Sequence, residues 1–277
     1  MTNKLGCNTL YPHGRLTDVK TQFTLDAQKQ ALRDVKDGGF DACEFSHYEC
    51  LTMDECDALR QECEAIGLLP WSAHSWVALP ADPDQVQAAL PKLLANLDAT
   101  THLGAEVMVV HAAGTDWDMA KEDLRAKRAE ALKQSLMPLT GKAAEGGIVI
   151  AIENCGPEAD LRFLVDTVQA LGLSNVGFNI DTGHAAIRGM TPAAAIRIMG
   201  EKLVTTHLQD NFGERDDHLP PGLGTIDWLA TMAAFRDVQY TRTLMVEISD
   251  CPPGREPVAR RDIRQSFENL QRFLGRA

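Results

Sequence analysis

Short apolar runs alternate with longer amphipathic stretches along the chain. The runs cover residues 4–10, 42–45, 70–74, 106–111, 148–153, 176–181, 203–207 and 244–248, and several end on a polar or ionisable residue. Their bodies are rich in Val, Ile, Leu and Met. Continuous apolar runs of this length fit strands buried on both faces, as a parallel sheet requires. Between them, apolar positions recur with helical spacing. Thr24 offers an N-cap to a helix that stops near Gly38-Gly39, and Thr52-Met-Asp-Glu has the form of a capping box for a helix that stops at Gly67. Further helices are predicted over 84–103, 119–145, 160–171, 191–199, 225–235 and 258–274. Eight strands and eight helices alternate strictly over 277 residues, about 35 residues per unit, which is the pace of a single (β/α)8 TIM barrel. The competing architecture, an open doubly wound sheet, carries a glycine-rich phosphate turn after its first strand. Here the first strand runs into Tyr11-Pro-His-Gly. No linker or low-complexity segment interrupts the pattern, so residues 1–277 are expected to form one domain.

Charge changes the picture of partners. The chain has 27 Lys+Arg against 39 Asp+Glu, a formal net charge of −12. Such a surface repels polyanions, so nucleic acid is disfavoured as a partner and a small molecule is favoured. The first residues lack the layout of a signal peptide, and no apolar run approaches the ~20 residues of a membrane span. The 7 cysteines are scattered with no Cys-x-x-Cys pair. Reduced thiols in a cytoplasmic protein are therefore expected.

In barrels of this kind chemistry sits at the C-terminal strand ends. His74 ends the third strand, His111 the fourth, Glu153 the fifth, Asp181 the sixth, His207 the seventh and Glu247 the eighth, with His184 three residues after Asp181. One strand-end acid is ordinarily a salt bridge or a loop cap. Six successive ionisable ends aimed at one mouth need more, because each buried charge costs on the order of several kcal/mol unless compensated. A divalent cation compensates them most directly. Glu153, Asp181, His207 and Glu247 offer three carboxylates and one imidazole. That oxygen-rich set suits Mn2+ first, with Mg2+, Co2+ or Zn2+ as alternatives. The loop after the seventh strand adds Arg215, Asp216 and His218, and Arg215 offers a clamp for a substrate hydroxyl or phosphate. Trp71, Trp76, Trp117, Tyr11, His13, Glu44 and His47 are candidates for lining the same mouth, and each reads equally well as a core or loop residue. Pro220-Pro-Gly-Leu-Gly-Thr-Ile-Asp-Trp reads as a rigid turn that starts a helix.

Ile152-Glu-Asn, Asn179-Ile-Asp-Thr-Gly-His, Thr206-His-Leu-Gln-Asp-Asn, Asp217-His-Leu-Pro-Pro-Gly-Leu-Gly-Thr-Ile-Asp-Trp and Val246-Glu occur in this order. Together they resemble the xylose-isomerase-like barrel superfamily, and within it the sugar phosphate isomerase/epimerase branch. The resemblance implies that Glu153, Asp181, His207 and Glu247 hold one catalytic metal. It implies that Glu153 and Glu247 exchange protons with the sugar, as in the ketose 3-epimerases, and that His184 contacts substrate. His218 is a further anchor for substrate oxygens, with His74 and His111 as additional candidates. The substrate-binding arginine of the epimerases lies two residues nearer the metal histidine than Arg215 does here. The implied reaction is proton transfer beside the carbonyl of a ketose or keto-cyclitol, through an enediolate that the metal stabilises. Loss of a β-hydroxyl from the same species would make a dehydratase, as in the similar inosose dehydratases. Endonuclease IV, a three-zinc phosphodiesterase of the superfamily, uses the residue types found at His74, His111, Glu153, Asp181, His184, His207, Asp216, His218 and Glu247. It is the competing reading and makes Asp216 a candidate extra ligand. The net charge and the string from Asp217 to Trp228 favour sugar chemistry. By analogy with the branch, a homodimer or homotetramer is expected.

Overall fold

The computed structural model describes residues 3–9, 23–249 and 261–276. Tyr11, His13 and Cys251 lie outside them. Eight strands form one sheet: β1 (Leu5–Asn8), β2 (Ala42–Ser46), β3 (Leu69–Leu79), β4 (Val107–Ala112), β5 (Val149–Glu153), β6 (Val176–Asp181), β7 (Leu203–His207) and β8 (Leu244–Val246). Their order is β7-β6-β5-β4-β3-β2-β1-β8 with parallel neighbours. The two ends of that order then meet. Leu208 bridges to Val246, the Leu208 N–H donates to the Met245 carbonyl at 2.8 Å, and the Glu247 N–H donates to the Leu208 carbonyl at 3.2 Å. One rung of this seam is a side chain. The Thr206 hydroxyl accepts from the Met245 N–H at 2.7 Å and donates to the Met245 carbonyl at 3.1 Å. The sheet thus curls into a nearly closed barrel.

Around it lie α1 (Leu25–Asp37), α2 (Met53–Ile66), α3 (Pro83–Leu103), α4 (Glu122–Glu145), α5 (Glu158–Leu171), α6 (Thr182–Ile187), α7 (Pro192–Met199), α8 (Trp228–Asp237) and α9 (Arg261–Phe273). Thr24 caps α1 through the Ala27 N–H, and Thr52 with Glu55 forms the capping box of α2. Three differences from expectation bear on the site. β3 runs on past His74 to Leu79, because Leu79 is buried and pairs with Ala112. β8 stops at Val246, so Glu247 follows the strand instead of lying inside it. α6 is an extra helix, hidden in the sequence by Gly183 near its start, a poor helix former. That glycine has a steric reason: a Cβ there would sit 2.2 Å from the Gln209 side chain. Among the described residues no helix is long and apolar enough to cross a membrane.

Strand parity decides what reaches the mouth. Ala42, Trp71, Val107, Val109, Ala151, Val204 and Met245 form a small apolar cluster apart from the main core, and the alternate residues Met108, Val110, Ile150 and Ile152 belong to the larger core packed under the helices. Successive side chains on a strand point to opposite faces. Two residues beyond Ala42, Val109, Ala151 and Met245 stand Glu44, His111, Glu153 and Glu247. The inner apolar cluster is therefore a floor, and those four residues rise from it on the same side.

The seam yields a prediction. Thr206→Val keeps shape but leaves the buried Met245 N–H without its acceptor, a loss costing about 1–3 kcal/mol, while the Met245 carbonyl keeps the Leu208 N–H. Chemical denaturation should show a loss of about 1–3 kcal/mol. An unchanged stability would mean that the hydroxyl is not part of the closure.

Candidate active site

His207 ends β7 and is fully buried. Its Nε2 lies 3.0 Å from Oε2 of Glu44, which also accepts from the Ser72 hydroxyl at 2.7 Å. Its Nδ1 faces the other way, 2.9 Å from Glu153 Oε2 and 3.1 Å from Glu247 Oε2. The Glu153 carboxylate is itself divided. Oε2 accepts from the Asn179 amide at 2.8 Å, and Oε1 stands 2.9 Å from His184 Nδ1 and 3.3 Å from His111 Nε2. His111 Nε2 meets His74 Nε2 at 3.2 Å, and His74 Nδ1 is 3.7 Å from Glu247 Oε1.

Asp181 is both strand end and helix cap. Its Oδ1 accepts the His184 N–H at 2.6 Å, and its backbone is pinned to β5 by Asn154, which donates to the Asp181 carbonyl at 2.9 Å and accepts its N–H at 2.7 Å. The Asn of Ile152-Glu-Asn thus positions Asp181. After β7, the Asp210 carboxylate organises the proline-glycine turn by accepting from the N–H groups of Asn211, Gly222 and Ile226 and from the Trp228 indole. That turn carries Asp216 and His218 inward. Asp216 accepts from the Gln209 amide at 2.5 Å, lies 3.0 Å from His218 Nε2 and 3.6 Å from His184 Nε2.

The structure brings Glu153, Asp181 and His207 within 4.8 Å of one another through their donor atoms, and groups Glu247 with Glu44, His74 and His207 in the same way. Glu44 is the residue that sequence reasoning weighed least, although parity from Ala42 places it. Arg215 is not in the cluster; its side chain is 68% exposed and faces Asp217 at 3.6 Å. Trp76 is at the mouth, stacked on His47 and His74 at ring separations of 4.5 and 4.9 Å. Trp71 belongs to the apolar floor and donates to the Thr205 hydroxyl, while Trp117 packs on the outer core.

Burial alone would hold the His207 imidazole neutral, but the carboxylates of Glu247, Glu44 and Glu153 raise it well above the ordinary 6.5. His184 and His111 are raised well above it in the same contest, by Asp181 and Glu153 respectively, and His218 is raised by Glu247 and Asp216. Burial works against the charged form of Glu153 and Glu247 too, yet the imidazoles around them, His207 foremost, hold both well below 4.5. Asp181 goes the other way, pushed up to about 7 by burial and by neighbouring carboxylates against the pull of His184.

The donor set fits a divalent cation. His207 Nδ1 is buried and lacks an aligned hydrogen-bond partner, although Glu153 Oε2 and Glu247 Oε2 stand 2.9 and 3.1 Å away. A nitrogen approached this closely by two carboxylates without a hydrogen bond along either direction stands where a cation ligand would stand. Glu44 behind His207 stands where an outer carboxylate would fix the tautomer of a metal-binding imidazole.

Residues 32–271 match the family described as xylose isomerase-like TIM barrel. An inosose isomerase of Bacillus licheniformis is 27% identical over 156 residues, 53% of this chain and 55% of that protein. A D-psicose 3-epimerase of Enterocloster bolteae is 31% identical over 135 residues, 45% of this chain and 41% of that protein. The chain spans about half the length of the curated relatives it matches. Among solved structures, the IOLI protein with a bound zinc atom shares the fold at a TM-score of 0.75 and 16% identity, over 98% of each chain.

The electrostatics predict a pH profile. Groups raised by folding, here the four imidazoles and Asp181, add stability below their unfolded values and lose it as pH rises through the folded ones. Glu153 and Glu247, lowered by folding, add stability above 4.5 and lose it as pH falls through their folded values. Chelator-treated protein should therefore melt highest at mildly acidic pH, between the ordinary glutamate and histidine values, and lower on the alkaline side. Divalent cations need neutral imidazoles and ionised carboxylates, so their stabilising effect should be greatest above about pH 7. Thermal melts across pH, with and without cation, check both. A flat profile would contradict the charge assignment.

Proposed function

The chain belongs to the xylose isomerase-like TIM barrel family, and from that membership and the site geometry we propose that it is a divalent-cation-dependent isomerase or epimerase of a ketose or keto-cyclitol. The observation that carries the reading is the placement of His207 Nδ1 between Glu153 Oε2 at 2.9 Å and Glu247 Oε2 at 3.1 Å, with Glu44 behind it. The names of the inosose isomerase and the D-psicose 3-epimerase support the substrate class.

Glu153, Asp181, His207 and Glu247 would hold the cation, and three carboxylates with one imidazole favour Mn2+. When bound, it supplies Lewis-acid stabilisation of negative charge developing on the substrate's carbonyl and hydroxyl oxygens. The chain's own residues do the rest. Glu153 and Glu247 are ionised at neutral pH, the state a base needs to take the weakly acidic proton beside a carbonyl. If one removes it and the other returns it on the opposite side, the carbon is epimerised. If a single carboxylate returns it to the neighbouring carbon, aldose and ketose exchange. His184, His218, His74 and His111 rim the same space and offer N–H groups to substrate hydroxyls. Trp76 adds an apolar face to the mouth, against which C–H groups of a sugar can pack.

Glu247→Gln should lower turnover at least about 100-fold and weaken cation binding while the circular dichroism spectrum is kept. The measurement is deuterium incorporation by NMR against a panel of ketoses and inososes; label at C3 marks epimerisation and at C1 aldose–ketose exchange. Full activity in that variant would remove the mechanism. Glu44→Gln should weaken cation affinity by about 10- to 100-fold through the His207 orientation, read by titration calorimetry.

A further inference from the structure

We infer that the mouth holds a second, sulfur-containing cation site, built from Cys155, His184, His111 and Oε1 of Glu153, that takes a borderline-soft divalent ion such as Zn2+ or Co2+. Donor atoms of Glu153, Cys155 and His184 lie within 4.8 Å of one another. His111 reaches the same Glu153 carboxylate through a second group of donor atoms, with His74. Metal–nitrogen and metal–oxygen bonds of about 2.0–2.1 Å in tetrahedral geometry place ligand atoms about 3.3 Å apart. Here Glu153 Oε1 stands 2.9 Å from His184 Nδ1 and 3.3 Å from His111 Nε2.

An independent observation points to a ligand. Glu153 is 1% exposed, and its Oε1 is buried without a hydrogen-bond partner while aimed at these imidazoles. His184 repeats the arrangement of His207, with its Nε2 toward the Asp216 carboxylate and its Nδ1 toward Glu153. Asp216 is in turn gripped by Gln209 and His218, so it is a fixed outer partner of the kind that orients metal-binding imidazoles. The backbone that carries the sulfur is held as well. Arg188 donates to the Cys155 carbonyl at 2.9 Å, and Gly156 makes a turn so tight that a Cβ would come 2.5 Å from Asp160. Sulfur separates this position from the oxygen-rich set around His207, because thiolate selects softer ions than Mn2+ or Mg2+. Binding releases the thiol proton to solvent and leaves a thiolate on the ion. It also occupies Glu153 Oε1, so filling this position and proton transfer by that oxygen exclude each other.

The test uses the full chain, stripped with chelator and loaded with Co2+ or Zn2+ alone. Co2+ should give a thiolate-to-metal charge-transfer band in the near ultraviolet, and X-ray absorption of the Zn2+ form should show a sulfur at about 2.3 Å. Cys155→Ser should lose the band and one equivalent of Zn2+ while still binding Mn2+, which reports on the oxygen-rich set separately. A missing band, a zinc shell without sulfur, or an unchanged band in Cys155→Ser would overturn the proposal. Should that variant fold poorly, the X-ray absorption of the unaltered chain decides.

Discussion

The Glu153 carboxylate is the constraint on which the mouth depends. It is buried, and a carboxylate withdrawn from water costs on the order of several kcal/mol unless opposite charge or aligned donors meet it. Both oxygens are met, from different sides. Oε2 has the Asn179 amide and His207 Nδ1, and Oε1 has His184 and His111. Each of the two nearest imidazoles, His207 and His184, has a further carboxylate toward its far nitrogen, Glu44 for one and Asp216 for the other. The arrangement is a chain of alternating charge, Glu44–His207–Glu153–His184–Asp216. Removing any member takes one opposite charge from each neighbour that stays buried. That coupling gives the cluster a rigidity that loops alone would not provide.

The barrel supplies the alignment. Parity puts Glu44, His111, Glu153 and Glu247 above the apolar floor, and the seam through Thr206 and Leu208 fixes β8 against β7. The remaining members come from segments that need special local structure. His184 rides the first turn of α6, whose cap is the Asp181 side chain. His218 has a positive φ of 50°, a conformation that a non-glycine residue adopts at some cost, and it is carried by the turn that Asp210 folds around its carboxylate. His47 is also left-handed, at φ 54°, and lies flat on Trp76 at the mouth. Two of the three non-glycine residues with positive φ among the described residues are these rim histidines; the third, Gln239, lies in the turn between α8 and β8.

Much of this was legible in the chain before folding. Parallel strands buried on both faces are necessarily apolar, so their rhythm and the polar residue that ends each one stand out. Glu44 did not stand out. It lies one residue before Phe45, inside a run rather than at its end, and only the parity from Ala42 marks it as inward. The extension of β3 was hidden because Ser75 and Trp76 look like the start of a loop, whereas pairing of Leu79 with Ala112 carries the strand on. Cys155 was indistinguishable from the other scattered thiols, since its two imidazole neighbours come from β4 and α6, distant in sequence. Arg215 illustrates the converse: a guanidinium in the right loop reads as a substrate clamp, yet it faces Asp217 on the surface. Which way a long side chain turns is decided by tertiary neighbours that spacing does not encode.

The two glutamates of the proposed reaction are not held alike, and this bears on how they would divide the work. Glu153 ends a regular strand; its Oε2 accepts from Asn179 and lies 2.9 Å from His207 Nδ1, and its Oε1 lies 2.9 Å from His184 Nδ1 and 3.3 Å from His111 Nε2. Glu247 follows the last residue of a three-residue strand, with Oε2 on His207 at 3.1 Å and Oε1 standing 3.7 Å from His74 Nδ1. A carboxylate that must take and return a proton has to shift its hydrogen bonds as its charge changes, which is easier for the loosely held group. A carboxylate that must keep a site assembled is better fixed. On the proposed reading Glu153 is therefore the anchor that moves least, and Glu247 the group whose protonation can change without dismantling the charge chain beneath it.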